Sequence, residues 1–199
     1  MSSLNQGISF VIPSYNEEKS IQATVVELDG FLKKENINFK GMFYAGLIMT
    51  KNGPQLLEIN VRFGDPETQA IIPLLESDLL HLLHSSASGQ LKNIKDIKLN
   101  DKYSMTVVIA SKGYPENFEK LTEIKNIQNL KLSKKDYLFH AGTKFENNKC
   151  LSNGGRVLNF THTGDDLTKI RTNIHKLIKQ ISWEEGYYRK DIGWRYINE

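Results

Sequence analysis

The stretch QLLEINVRFGDPETQ, from Gln55 to Gln69, carries the decisive pattern of the chain. Its first half predicts a strand. Leu57, Ile59 and Val61 alternate with Glu58, Asn60 and Arg62, and successive side chains of a strand point to opposite faces. The three apolar residues are expected to enter a core, and Glu58, Asn60 and Arg62 to form one row on the other face. A carboxylate and a carboxamide are hard oxygen donors. Mg²⁺ prefers such donors, usually takes only one or two from protein, and completes its shell with phosphates and water. A guanidinium in the same row could pair with phosphate or carboxylate oxygens through its planar fork. Gly64 ends the strand. Asp65 then reads as an N-cap, Pro66 as the first helical position and Glu67 as an acid in the first turn. A helix is expected through ETQAIIPLLES, kinked or shortened at Pro73. The plainer alternative is a solvated strand edge leading into a capped helix.

Working outward, MFYAGLIMT predicts a strand before this one, and Lys51-Asn52-Gly53-Pro54 a hairpin turn, since Asn-Gly tolerates the positive φ of tight turns. The hairpin is expected to set the register that presents Glu58, Asn60 and Arg62. SDLLHLLHSSASG predicts a helix capped by Ser77 and stopped by Gly89. His81 and His84 lie on neighbouring turns of it, but metal sites normally need three or four ligands and no others are near. Downstream, YSMTVVIASK, KDYLFHAGTKF and CLSNGGRVLNFTHTG predict strands separated by turns, the signature of an antiparallel sheet. Residues 121–133 read as irregular. Asn153-Gly154-Gly155-Arg156 could cradle an anion through backbone N–H groups, though a plain glycine turn is the simpler reading. His140 and Cys150 read as structural. DDLTKIRTNIHKLIKQI predicts a helix starting at Asp165. Leu167, Ile170, Ile174, Leu177, Ile178 and Ile181 form its apolar stripe. The aromatic tail WEEGYYRKDIGWRYI is expected to pack back near the core.

At 199 residues, with 39% hydrophobic and 25% charged residues, the composition is that of an ordinary globular protein of one domain or two small ones. A net charge of +3 with no basic cluster or series of stacking aromatics gives no support to nucleic-acid binding. One cysteine permits no internal disulfide, which suits a reducing cytoplasm. No apolar run reaches the roughly 18 residues of a membrane span, and the N-terminus lacks the pattern of a signal peptide.

GMFYAGLIMTKNGPQLLEINVRFGDPETQ closely resembles the phosphoribosylamine–glycine ligase family of ATP-grasp enzymes, and the likeness continues in order through SKGYP, FHAGTKF, NGGRVL and YRKDIGW. The resemblance implies an α+β chain: residues 41–100 as the second half of an ATP-grasp catalytic core, residues 101–199 as the family's C-terminal antiparallel-sheet domain. It implies Glu58 and Asn60 as ligands of Mg²⁺ or Mn²⁺, with ATP as co-substrate. Arg62 would face the phosphoryl group in flight as the catalytic residue, and Arg62, Asp65 and Glu67 would contact substrate. The family's substrates are ATP, glycine and 5-phosphoribosylamine, used in purine biosynthesis. The family's N-terminal domain and nucleotide-gripping lobes have no counterpart in the chain. The expectation is therefore an incomplete ligase, inactive alone, or one half of a split ligase that needs a separate N-terminal half. Residues 1–40 stand apart: FVIPSYNEEKSI resembles the start of a family-two glycosyltransferase, which suggests a join between two genes. A nucleotide-sugar transferase is the remaining alternative, without that family's Asp-x-Asp.

Overall fold

The computed structural model describes residues 8–11, 18–51 and 53–197. They form two compact units, Met1–Glu67 with Leu75–Leu99, and Thr68–Leu74 with Asn100–Glu199.

The first unit is built on a three-stranded sheet. Strand β1 (Ile8–Val11) runs parallel to β2 (Gly41–Thr50), and β2 pairs antiparallel with β3 (Gly53–Asn60). FVIPSYNEE thus contributes a strand, while residues 12–17 lie outside the described residues. Helix α1 (Glu18–Lys34) follows β1 and buries Leu32. The β2–β3 loop is tighter than the expected four-residue turn. Thr50 pairs with Gly53, so only Lys51 and Asn52 connect the strands, and Asn52 is outside the described residues. Pro54 lies within β3, tolerated because β3 is the sheet's edge strand.

Helix α2 is short, Glu67–Ile71, and passes into a 3₁₀ turn, Ile72–Leu74, at the expected Pro73. Pro66 is not its first helical residue. Asp65 and Pro66 form a turn joined by a cis peptide bond, and helical hydrogen bonding begins at Glu67. Helix α3 (Leu79–Ala87) is capped by Asp78 rather than Ser77, its carboxylate accepting from the His81 N–H at 2.6 Å. Ser77 instead accepts from the Lys98 N–H at 2.8 Å, and Gly89 ends the segment at φ +72°. The Ser86 hydroxyl donates to the Gly41 carbonyl at 3.0 Å and ties α3 to β2.

The second unit contains two antiparallel sheets. Strands β4 (Tyr103–Ser111), β6 (Asp136–His140), β9 (Arg156–Gly164) and β10 (Gly186–Tyr187) form one, in the order β10-β4-β9-β6. Strands β5 (Glu123–Ile124), β7 (Thr143–Glu146) and β8 (Lys149–Ser152) form the other, in the order β5-β8-β7. The antiparallel expectation holds, but KDYLFHAGTKF and CLSNGGRVLNFTHTG are each two strands, divided between the sheets. The divisions fall at Gly142 and at residues 153–155, which lie together. A Cβ on Gly142 would come 2.6 Å from the Arg156 carbonyl oxygen and 3.1 Å from Gly154 Cα, so the backbones cross at a distance only glycine permits. Helix α4 (Leu167–Ile178) is capped by Asp166, one residue beyond the expected Asp165. Its Ile170, Ile174, Leu177 and Ile178 pack with Leu158, Phe160, Val107 and Ile109, the apolar stripe the sequence predicts. The tail does return to this core. Trp183 Nε1 donates to Thr122 at 2.8 Å, and Ile192 and Ile197 pack on the cluster.

Candidate functional site

The register of β2 with β3 decides where Glu58 and Asn60 point. Gly46 lies opposite Glu58, Ala45 opposite Ile59 and Tyr44 opposite Asn60. Between Gly46 and Leu47 the pairing steps from Glu58 to Leu56, so Leu57 is an extra residue with no partner on β2. This is a β-bulge, a device that re-aims side chains and is common beside functional sites. It corrects the expectation that the turn alone sets the register. Glu58 and Asn60 share the face of Gly46 and Tyr44. A Cβ on Gly46 would come 2.9 Å from Glu58 Cγ and 3.5 Å from the Tyr44 ring, so the Glu58 side chain crosses the space that glycine leaves open.

The apolar half of the alternation does not enter a core. Leu57 is 65% exposed, Ile59 47% and Val61 69%. The cause is position: β3 is an edge strand, whereas Phe43, Tyr44 and Ala45 of the central β2 are buried. Arg62 does not extend the row of Glu58 and Asn60 either. The strand ends at Asn60, Val61 and Arg62 form a bend, and the Arg62 guanidinium donates to the Phe63 carbonyl at 2.8 Å. The bend returns the chain, so that Gly64 and Glu67 come back against Tyr44.

Tyr44 is the group that the alternation of QLLEINVR did not single out. Its hydroxyl is hydrogen-bonded to the Glu67 carboxylate, and its ring is 4% exposed. Burial, the Glu67 charge and hydrogen bond, and the Glu58 charge push its pKa up to about 12, against the opposing pull of Arg62. The phenol therefore remains a hydrogen-bond donor at neutral pH. A Cβ on Gly64 would come 2.9 Å from Tyr44 Cε2 and would collide with Glu67 Oε2, so Gly64 leaves the room in which these two side chains meet. The signal available in the sequence was a glycine inside each of MFYAGL and RFGDPE, Gly46 and Gly64, each leaving room for a bulky or charged neighbour.

Among the described residues no group of three or more His, Cys, Asp or Glu converges as a metal site. Glu58 and Asn60 fit a cation that takes few protein ligands: both present oxygen from one strand face, and Gly46 leaves the Glu58 carboxylate free of a facing side chain. His81 and His84 are exposed on α3. Asp65 lies in the turn before Glu67.

In the second unit the glycines of NGGR are explained by packing. The Tyr114 ring lies over Gly155, Gly154 meets Gly142, and the Ser111 hydroxyl donates to the Gly154 carbonyl at 2.9 Å. His140 shares a 2.9 Å hydrogen bond with Thr143, and burial lowers its pKa. Cys150 is buried in β8, and that burial raises its pKa, as befits an unreactive thiol.

Residues 9–68 match the phosphoribosylglycinamide synthetase ATP-grasp (A) domain, and residues 104–195 match the phosphoribosylglycinamide synthetase C domain. The first match begins at Ser9 and covers the whole of the segment FVIPSYNEEKSI. The phosphoribosylamine–glycine ligase of Caldanaerobacter subterraneus subsp. tengcongensis is 44% identical over 180 residues, 90% of this chain and 41% of the relative. The human trifunctional purine biosynthetic protein adenosine-3 is 40% identical over 179 residues, 89% of this chain and 18% of that protein. The crystal structure of phosphoribosylamine–glycine ligase from Thermotoga maritima superposes with a TM-score of 0.72 at 29% identity, covering 87% of this chain and 42% of that one. The chain thus spans about two fifths of the length of the single-function ligases it matches. Two domain matches in family order, with the Glu58–Asn60 strand inside the first, show that the chain belongs to the phosphoribosylglycinamide synthetase family, of which it carries ATP-grasp and C domain sequence.

Proposed function

We propose that this chain supplies the cation-facing strand and C domain of a cytoplasmic ATP-dependent ligase that joins glycine to 5-phosphoribosylamine. The observation that carries the reading is Glu58 and Asn60 on one face of β3, opposite Gly46 and Tyr44, in a chain that shares 44% identity with such a ligase. In this reaction ATP phosphorylates the glycine carboxylate, ADP leaves, and the amine of the second substrate attacks the acyl phosphate and expels phosphate. Activation is needed because carboxylate oxygen is a poor leaving group. The protein's task is to position reactants and neutralise developing charge.

Glu58 and Asn60 would hold Mg²⁺, or Mn²⁺ in its place, whose chemistry is to neutralise charge on the β- and γ-phosphates. Arg62, exposed at the bend, would swing from the Phe63 carbonyl to the acyl phosphate oxygens. Asp65 and Glu67 would accept hydrogen bonds from the amine or the ribose hydroxyls. A carboxylate has about four acceptor positions, so Glu67 can serve Tyr44 and a substrate together.

The exposed Leu57, Ile59 and Val61 on an edge strand support a second element of the reading. The remainder of the ATP-grasp fold that the relatives carry would cover them. A patch of this kind is what a partner surface leaves bare.

The test is phosphate release from ATP by the purified chain with Mg²⁺, glycine and 5-phosphoribosylamine. It is run alone and then with the part of the Caldanaerobacter ligase that precedes its matched region. Turnover is expected only on mixing. Turnover by the chain alone at ordinary enzyme rates would remove the need for a partner, and none in either case would overturn the ligase reading.

A further inference from the structure

Tyr44 has no role in the ligase reading, yet it lies between Gly46 of β2 and the turn that holds Gly64 and Glu67. Its ring lies between the spaces left by Gly46 and Gly64. A Cβ at Gly46 would touch Cε1 at 3.5 Å, and one at Gly64 would press on Cε2 at 2.9 Å. Its backbone pairs with Asn60, its face is shared with Glu58, and its hydroxyl is bonded to Glu67. One side chain therefore meets both halves of the site: the strand that presents the cation-facing oxygens and the turn that presents the substrate-facing carboxylates. A Tyr is suited to this. It has only two side-chain torsions, a rigid ring to pack and one polar tip that seeks a partner when buried.

We propose that Tyr44 is a positioning residue that locks the turn at residues 64–67 onto β2, so that Asp65 and Glu67 are held at a set distance from Glu58 and Asn60. The role rests on the ligase reading for its purpose but not for its geometry. Without the hydroxyl, Glu67 loses its tie to the strand. The turn then loses one of its ties to β2, and Asp65 and Glu67 sample positions that the substrate must select among. Substrate binding would weaken by the fraction of time the turn is misplaced.

The experiment compares the full chain with Tyr44→Phe and Glu67→Gln, using amide hydrogen exchange resolved to residues 63–69. Tyr44→Phe keeps the ring and removes only the hydroxyl. It is expected to speed exchange in the turn by about tenfold, with β4 and β9 unchanged. Glu67→Gln keeps an acceptor oxygen and should give a smaller increase. In the mixed assay with the Caldanaerobacter segment, Tyr44→Phe should raise KM for 5-phosphoribosylamine more than it lowers kcat. Unchanged exchange in the turn would overturn the lock. Faster exchange with unchanged KM, and a kcat reduced only in proportion to folded protein, would make Tyr44 structural and overturn the positioning role. If the wild-type mixture shows no turnover, the ligase reading fails, and the exchange data still decide whether Tyr44 holds the turn.

Discussion

Gly46→Ala separates the site from the fold. The added Cβ would sit 2.9 Å from Glu58 Cγ and 3.6 Å from its Oε1, and 3.5 Å from the Tyr44 ring. The second distance is ordinary contact; the first is not, so the Glu58 side chain must move. Glu58 is exposed and flexible, so the move costs about 0.5–1.5 kcal/mol as a rotamer change. Alanine recovers about 0.5–1 kcal/mol that glycine costs inside a strand. The two nearly cancel, and urea unfolding of the variant should agree with wild type within about 1 kcal/mol. The carboxylate, however, is displaced from the face it shares with Asn60. Misorienting a ligand typically costs about 10- to 100-fold in metal affinity. The Mg²⁺ concentration for half-maximal turnover in the mixed assay should rise by that factor. Unfolding shifted by more than about 2 kcal/mol, or an unchanged Mg²⁺ dependence, would refute the argument that Gly46 exists to admit Glu58.

Glu58→Gln should weaken the Mg²⁺-dependent step far more than it weakens the fold; equal losses in turnover and in denaturation midpoint would make Glu58 structural. Asp136→Asn tests a buried pair, in which Asp136 lies 2.5 Å from His162 Nδ1. Burial pushes the Asp136 carboxyl up, but hydrogen bonds from Ser133 and His162 outweigh it and hold the carboxyl below its ordinary value of 3.8. A depressed folded pKa adds stability above the unfolded value, lost as pH falls through the folded one. Wild type should therefore lose stability below about pH 4, and the Asn variant should lack that part of the slope and be weaker by about 1–3 kcal/mol at pH 7. Gly142→Ala would set a Cβ against backbone of Arg156 and Gly154, which cannot swing aside, and should lower the melting temperature with a loss of at least about 1–3 kcal/mol.

Much of the second unit was legible because its signals are local. The α4 stripe at helical spacing, the turn between KDYLFHAGTKF and CLSNGGRVLNFTHTG and the antiparallel alternation each follow from residues near one another in sequence. Its strand divisions were missed for one cause: β6 with β7, and β8 with β9, read as continuous strands because nothing local reveals that Gly142 and Gly154 touch. Helix caps at Asp78 and Asp166 were missed by one residue, since two adjacent polar residues compete for the same place and only hydrogen-bond geometry chooses.

By itself the sequence determined the family likeness, the strand character of QLLEIN, the helix α4 and its buried face, and the pairing of Glu58 with Asn60 two residues apart. The face they occupy was a tertiary decision. Counting back from Thr50 to Tyr44, and the same distance forward from Gly53, reaches Ile59, which would turn Glu58 toward buried Ala45. The bulge at Leu57 adds one residue, sets Tyr44 opposite Asn60 and moves Glu58 to the face of Gly46. A one-residue slip reverses every side chain of a strand. Composition and period cannot register it, because it depends on which residue the neighbouring strand leaves unpaired.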